Sequence, residues 1–176
     1  MKTRVLYPKE QIEKRISELA GQIAKDYKDK NPLLIGILNG TVIFMSDLLR
    51  ALYAKGLDAQ IDFLSVSSYA KGDTFSGASR VIADIRTDIQ DRHVLIVEDI
   101  IDTGHTLQFI RDYLLSKGLK SLKIVTLLDK IKKRQIVVPV DYVGFTMQSA
   151  AWVIGYGFDT DGFGRGRADI EEKISE

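Results

Sequence analysis

Glu98, Asp99 and Asp102 close a run of four apolar residues, Val94 to Val97, and Thr103-Gly104-His105-Thr106 follow at once. Unpaired carboxylates at the end of a buried strand are costly to desolvate. Glu98 and Asp99 could coordinate Mg²⁺, or they could accept hydrogen bonds from the diol of a ribose. The turn Asp102-Thr103-Gly104, leading into a helix near Thr106, does the opposite job. Such a turn aims several backbone N–H groups at one point, the helix dipole adds positive potential there, and two threonine hydroxyls can donate as well. A phosphate monoester fits it. Taken alone, DTGHT reads first as a plain helix N-cap, and the acid pair alone could simply face water. The two features side by side ask for a ligand with both a phosphate and a cationic or hydroxylated part.

The rest of the chain must hold that stretch in place. Pro8 suits a first helical turn, and Ile12, Ile16, Leu19, Ile23 and Tyr27 recur at helical spacing. LLIGIL, 33–38, is a buried strand between Asn-Pro and Asn-Gly, and a helix is predicted from an N-cap at Thr41 to a C-cap at Gly56. QIDFLSVSSY and RVIADI read as the arms of an antiparallel hairpin, with the Gly- and Ser-rich AKGDTFSGAS as its flexible loop or tip. HVLIVED is the next buried strand, and Leu107, Ile110 and Leu114 give the following helix its apolar face. LKIVTLLD, YVGFTM and a short WVIGYGFD complete the strands. Alternation of buried strands and helices predicts an α/β fold with a central, largely parallel sheet flanked by helices and a small C-terminal hood over one end. In open sheets of this kind ligands bind beyond the carboxyl ends of the strands, which places EDIIDTGHT in the crevice.

Composition narrows the classes further. The 25 Lys and Arg nearly balance the 24 Asp and Glu, so there is no global basic field to attract nucleic acid. The absence of cysteine excludes disulfides, thiolate metal sites and a cysteine nucleophile. MKTRVLYPKE has no apolar run for a signal peptide and no segment is apolar enough to span a bilayer, so a cytoplasmic location is expected. The 176 residues are read as one domain, 1–176, with its core at about 30–145.

The full pattern, four apolar residues, Glu-Asp, two apolar residues, Asp-Thr-Gly, one variable residue and Thr, resembles the phosphoribosyl-diphosphate signature of the type I phosphoribosyltransferases. Three further segments resemble the hypoxanthine-guanine branch of that family, in the expected order up to about Arg165. SVSSYAKG resembles its mobile catalytic loop, with Ser68-Tyr69 closing over pyrophosphate. TLLDK resembles the strand whose last residue, here Lys130, reads the purine 6-oxo group; an ammonium donates to that carbonyl and repels the amino group of adenine. WVIGYGFD resembles the purine-stacking segment, which assigns Trp152 to the base, the Val153 backbone to its edge and Asp159 to a second Mg²⁺. Arg165 matches an arginine near pyrophosphate.

By the same resemblance Glu98 and Asp99 hold the ribose hydroxyls with Mg²⁺ nearby. Thr103, Gly104, His105 and Thr106 hold the 5′-phosphate, and Asp102 takes or holds the purine N7 proton. The expected reaction joins hypoxanthine or guanine to phosphoribosyl diphosphate, giving IMP or GMP and pyrophosphate, in a homodimer or homotetramer without a membrane or nucleic-acid partner. The chain departs from the family in two places. Its pyrophosphate loop has Asn39-Gly40 where Lys-Gly is usual, which removes a charge and leaves the backbone donors, and the peptide before Asn39 is expected to be cis. The tail RADIEEKISE lacks the usual apolar C-terminal strand. Three alternatives stay open on the residues: a nucleic-acid-binding regulator with the same fold, using the basic DKIKKRQ; an enzyme for xanthine or a pyrimidine; and a Mg²⁺-binding Rossmann-like protein such as a response regulator, which leaves DTGHT unexplained.

Overall fold

The computed structural model describes residues 2–71 and 74–174, and the side chains among them other than those of 68–71 and 74–78. The chain runs β1(Thr3–Tyr7), α1(Lys9–Asp26), β2(Leu33–Leu38), α2(Val42–Ala54), β3(Gln60–Lys71), β4(Thr74–Ala83), β5(His93–Ile101), α3(His105–Leu115), β6(Ser121–Asp129), β7(Tyr142–Thr146), β8(Val153–Ile154) and β9(Ile170–Lys173). A six-stranded sheet has the order β4-β3-β2-β5-β6-β7, parallel except for the antiparallel edge strand β4. The strands are apolar on both faces because both faces are covered. Leu33, Ile35, Val94 and Ile96 pack toward Leu107, Ile110 and Leu114 of α3. Leu34, Leu95 and Val97 pack on the other side with Ile12, Ile16, Leu19 and Ile23 of α1 and Phe44, Met45 and Leu48 of α2.

The order of connections fixes where a ligand can go. From β2 the chain moves to β3 on one side, and β5 then returns to the other side of β2. The two crossovers diverge at β2–β5, and such a switch point opens a crevice at the carboxyl ends of its strands. Asn39-Gly40 follows β2 at that mouth, and Glu98 to Ile101 form the end of β5.

Several local expectations shift. Thr41 precedes α2 but makes no side-chain cap; its own backbone is helical, and its hydroxyl donates instead to the Val97 carbonyl at 3.2 Å, tying α2 to β5. Of the two readings of AKGDTFSGAS the hairpin tip holds, since β3 runs to Lys71 and β4 begins at Thr74. The tail does contain a strand: β9 pairs with β1 on one side and β8 on the other in a separate three-stranded sheet. Its inward positions are Ile170 and Glu172, and the Glu172 carboxylate is buried against Arg4 Nε at 2.7 Å. A charge in an inward position hides the period-two signal on which sequence reading depends. No helix among the described residues is long and apolar enough to cross a membrane.

Asp62 of β3 pins the chain leaving the hairpin, its carboxylate accepting the N–H groups of Phe63, Arg86 and Thr87, each at 2.8 Å. Burial alone would raise this carboxyl, but the N–H donors, Thr87 first, outweigh it and hold it below the usual range. Asp62→Ala is expected to lose about 1.5–3 kcal/mol in urea unfolding at pH 7. A depressed folded value makes that stability present above the unfolded value and lost as pH falls through the folded one, so the gap to wild type should close below roughly pH 4. A gap that persists unchanged into acid would contradict this role.

Candidate active site

At the mouth of the crevice, a cavity of about 260 Å³ is lined by Ile37, Leu38 and Gly40 from the end of β2 and by residues 98–104, Thr106 and Leu107 from β5 and its turn, with Val66 of β3 across from them. The Leu38–Asn39 peptide is cis, as expected. Glu98 is buried and Asp99 partly so. Asp99 Oδ1 accepts the Ile100 N–H at 2.8 Å, and Glu98 Oε1 takes the Asp99 N–H at 3.3 Å. Burial, together with the neighbouring Asp99 charge, pushes the Glu98 carboxyl well above its ordinary value; burial also raises Asp99. Gly40 is glycine for a steric reason: a Cβ there would overlap the Asp99 carboxylate.

Helix α3 starts at His105 without a side-chain cap, after Gly104 at φ +91°. The positive φ suits only glycine at low cost, and Thr103, Gly104 and Thr106 form part of the cavity wall. First-turn donors of an uncapped helix are available to an anion. His105 does not depend on its backbone alone, since its Nε2 lies 3.0 Å from Gln135 Oε1.

A second cavity, of about 100 Å³, is lined by Ile100, Asp102, Lys130, Trp152, Val153, Phe158 and Asp159. Ile100 and Asp102 belong to both cavities, so Asp102 stands at their junction. Its Oδ2 lies 3.8 Å from Lys130 Nζ and 3.3 Å from Lys133 Nζ, whereas its Oδ1 is buried without a hydrogen-bond partner among the described residues. Lys130 is only 3% exposed, and burial lowers its pKa against the opposing pull of Asp102. It is therefore no member of a solvated basic cluster. Trp152 is 54% exposed; its indole N–H is shared between the Asp159 carbonyl at 3.1 Å and Thr160 Oγ1 at 3.0 Å, which turns the ring to form one wall. Gly155, Tyr156 and Gly157 all have positive φ, and the bend carries Gly157 so close to the Gly40 carbonyl that a Cβ would collide with it.

Asp159 faces Arg165, with Oδ1 2.7 Å from Nη2, and its Oδ2 accepts the Gly162 N–H at 2.7 Å. Arg165 Nη1 also donates to the Gly157 carbonyl at 2.6 Å. Among the described residues no three His, Cys, Asp or Glu side chains gather closely enough to hold a metal, so Asp159 does not join Glu98 and Asp99 in one cluster. The side chains of Ser68 and Tyr69 lie outside the described ones, although their backbones belong to β3. Sequence reading missed Lys133 and the bidentate pair of Arg134 with Asp129, whose two bonds are each 2.9 Å. The signal was available in principle, because Lys133 lies three residues beyond Lys130.

Residues 4–161 match the family model of the phosphoribosyl transferase domain. The hypoxanthine-guanine phosphoribosyltransferase of Dictyostelium discoideum is 41% identical over 160 residues, covering 90% of this chain and 88% of that one. That of Streptococcus mutans is 40% identical over 156 residues, covering 89% of this chain and 84% of its own. Among solved structures, the Trypanosoma cruzi hypoxanthine phosphoribosyltransferase in complex with the product IMP superposes with a TM-score of 0.88 at 40% identity, covering 96% of this chain and 92% of that one.

Gly40→Ala tests the packing of the acid pair. The added methyl is expected to displace the Asp99 side chain and to cost about 1–3 kcal/mol, read by thermal unfolding and by a crystal structure of the variant. Wild-type stability with Asp99 unmoved would show that the cradle has room to spare.

Proposed function

The chain belongs to the phosphoribosyltransferase family, and from that premise we propose how its residues divide the work. It is a hypoxanthine-guanine phosphoribosyltransferase of purine salvage, a pentosyltransferase that moves the 5-phosphoribosyl group of phosphoribosyl diphosphate onto hypoxanthine or guanine to give IMP or GMP and pyrophosphate. The observation that carries the residue assignment is the pair of cavities meeting at Ile100 and Asp102. One has the acids and the anion turn that a sugar phosphate needs; the other has the ammonium and flat walls that a 6-oxopurine needs. The anomeric carbon belongs at their junction.

In this reading the Thr103–Thr106 turn binds the 5′-phosphate through backbone N–H and hydroxyl donors. Glu98 and Asp99 face the ribose hydroxyls. The purine lies between Trp152 and the Val153–Phe158 side, with its 6-oxo group accepting from Lys130. Glycosidic bond formation passes through an oxocarbenium-like transition state: the bond from the anomeric carbon to the pyrophosphate oxygen lengthens before the purine nitrogen closes on the same carbon. Asp102 takes the proton of purine N7 as that nitrogen's ring loses electron density, a role in which a positioned carboxylate contributes roughly 10²–10⁴-fold. Asn39, Gly40, Ser68, Tyr69 and Arg165 surround the departing pyrophosphate, Asn39 and Gly40 through backbone donors. Exclusion of water by the closed hairpin protects the cation-like centre.

The donor set at Glu98 and Asp99 suits Mg²⁺: two adjacent carboxylates, raised by burial, form no ion pair among the described residues. These residues would hold the ion, which supplies charge neutralisation for pyrophosphate departure. Asp159, whose carboxylate meets Arg165 Nη2 and the Gly162 N–H, would hold a second ion. We further read residues 1–176 as one phosphoribosyltransferase domain with a hood built from both terminal segments. It works in the cytoplasm as a homodimer or homotetramer, for which the exposed Val42 and Tyr53 of α2 offer apolar surface.

The test is base consumption with phosphoribosyl diphosphate and Mg²⁺ across hypoxanthine, guanine, xanthine, adenine and uracil. Turnover of the 6-oxopurines is expected, with Asp102→Asn lowering kcat by about 10²–10⁴-fold while IMP still binds. Lys130→Gln, whose amide can accept as well as donate, should narrow the preference for hypoxanthine over adenine by on the order of 10²-fold or more. No turnover with any base would sink the enzyme reading; full activity of Asp102→Asn would sink only the role of that residue.

A further inference from the structure

The basic segment after Lys130 has no task in the transfer reaction as set out above, yet Lys133, Arg134 and Gln135 bond to residues at or beside the site. Arg134 grips Asp129 with two parallel bonds, Nε to Oδ1 and Nη2 to Oδ2, both 2.9 Å, and its Nη1 donates to the Val138 carbonyl at 3.2 Å. The two side chains are only 14% and 9% exposed. The residues flanking Arg134 reach the anion turn. Lys133 Nζ is 3.3 Å from Asp102, the N–H groups of Gln135 and Ile136 donate to the Thr103 carbonyl at 2.9 and 3.1 Å, and the Gln135 side chain meets His105 at 3.0 Å. The Ile136 carbonyl lies 2.8 Å from where a Gly104 Cβ would stand, so the strap and the turn are in direct backbone contact. On the other side, Asp129 is the neighbour of Lys130, whose N–H donates to the Ile101 carbonyl at 2.9 Å.

We propose that Arg134 is a positioning residue for phosphoribosyl transfer, its fork on Asp129 fixing the distance between the base-reading Lys130 and the 5′-phosphate turn. The proposal rests on the residue assignment given under the function above. Arg134 lines neither cavity. It acts through the strap of residues 131–138, which is bonded to the turn at Thr103 and His105, and through Asp129, which is covalently next to Lys130. Transfer needs the purine nitrogen and the anomeric carbon at near-contact distance, and the two substrates are held from opposite ends of this strap. A planar guanidinium supplies two bonds in one fixed orientation, and a lysine ammonium supplies the charge without the orientation. Loss of the fork therefore loosens both subsites together, whereas loss of a residue that serves one subsite affects one substrate.

The experiment compares Arg134→Met, Arg134→Lys, Asp129→Asn and the double variant Asp129→Asn/Arg134→Met, with Val137→Ser as a control in the same strap, because Val137 is 90% exposed. Steady-state kinetics are run well below each variant's Tm. In Arg134→Met, kcat/KM for hypoxanthine and for phosphoribosyl diphosphate should fall together by on the order of 10²-fold, the cost of misplacing reacting groups by about 1 Å. Arg134→Lys should recover only a minor part, Asp129→Asn should reproduce the loss, and the double variant should add little, since the pair acts as a unit. Val137→Ser should match wild type. The proposal is overturned if Tm falls while KM and kcat hold for both substrates, if only one substrate is affected, or if lysine restores full activity. Should Arg134→Met fail to fold, Asp129→Asn, which keeps size and shape, carries the same test. Inactivity of wild type toward every base would be a failure of the functional reading; an active wild type beside unaffected variants would be a failure of the positioning role alone.

Discussion

Two carboxylates side by side at the desolvated end of β5 set the terms for this molecule. Glu98 and Asp99 follow four residues that are wholly buried, and there is no room between adjacent positions for the charges to separate. Mutual repulsion and loss of water both disfavour their ionised forms. The fold accommodates them only because β2 and β5 are the strands at which the crossovers diverge, which opens space beyond their ends, and because Gly40 leaves the Asp99 carboxylate somewhere to lie. The Thr41 hydroxyl on the Val97 carbonyl holds the two strand ends at that spacing.

The cations around the crevice are distributed so that the acid pair keeps its capacity for a ligand. Lys130 and Lys133 stand on Asp102, Arg134 on Asp129, and Arg165 on Asp159. Each is pinned to a carboxylate other than Glu98 or Asp99. A lysine placed directly on that pair would have relieved the desolvation penalty and closed the site to an outside cation or sugar. The same distribution sets Asp102 against the burial that lowers the pKa of Lys130.

What could be read from the sequence was what is contiguous in it. The acid pair, the Asp102 turn, the buried strand before it and the helix after it lie within a few residues of each other, and local physics couples residue type to role. The apolar faces of α1 and α3 were legible for the same reason. What could not be read depends on partners far along the chain. Glu172 looks like a surface acid until Arg4 is placed opposite it on β1, and Thr41 looks like a helix cap until Val97 is placed beside it. The strap is the instructive case, since Lys133, Arg134 and Gln135 have the composition of a solvated patch. Only the return of the chain over Thr103 and the fork on Asp129 give them partners beside the site.

The pairing of β9 between β1 and β8 bears on the order in which the molecule matures during synthesis. The turn at Thr103 lies against the strap that follows β6, through the Gln135 and Ile136 N–H groups on the Thr103 carbonyl. The Trp152–Val153 wall is different. Among the described residues its strand β8 pairs with β9 alone, and β9 in turn lies against the first strand of the fold. Pairings between segments so distant in sequence form late and pay the largest loop-closure entropy. A chain still emerging from the ribosome would thus bring the β2 and β5 ends together before the Trp152 wall of the second cavity, which would arrive last.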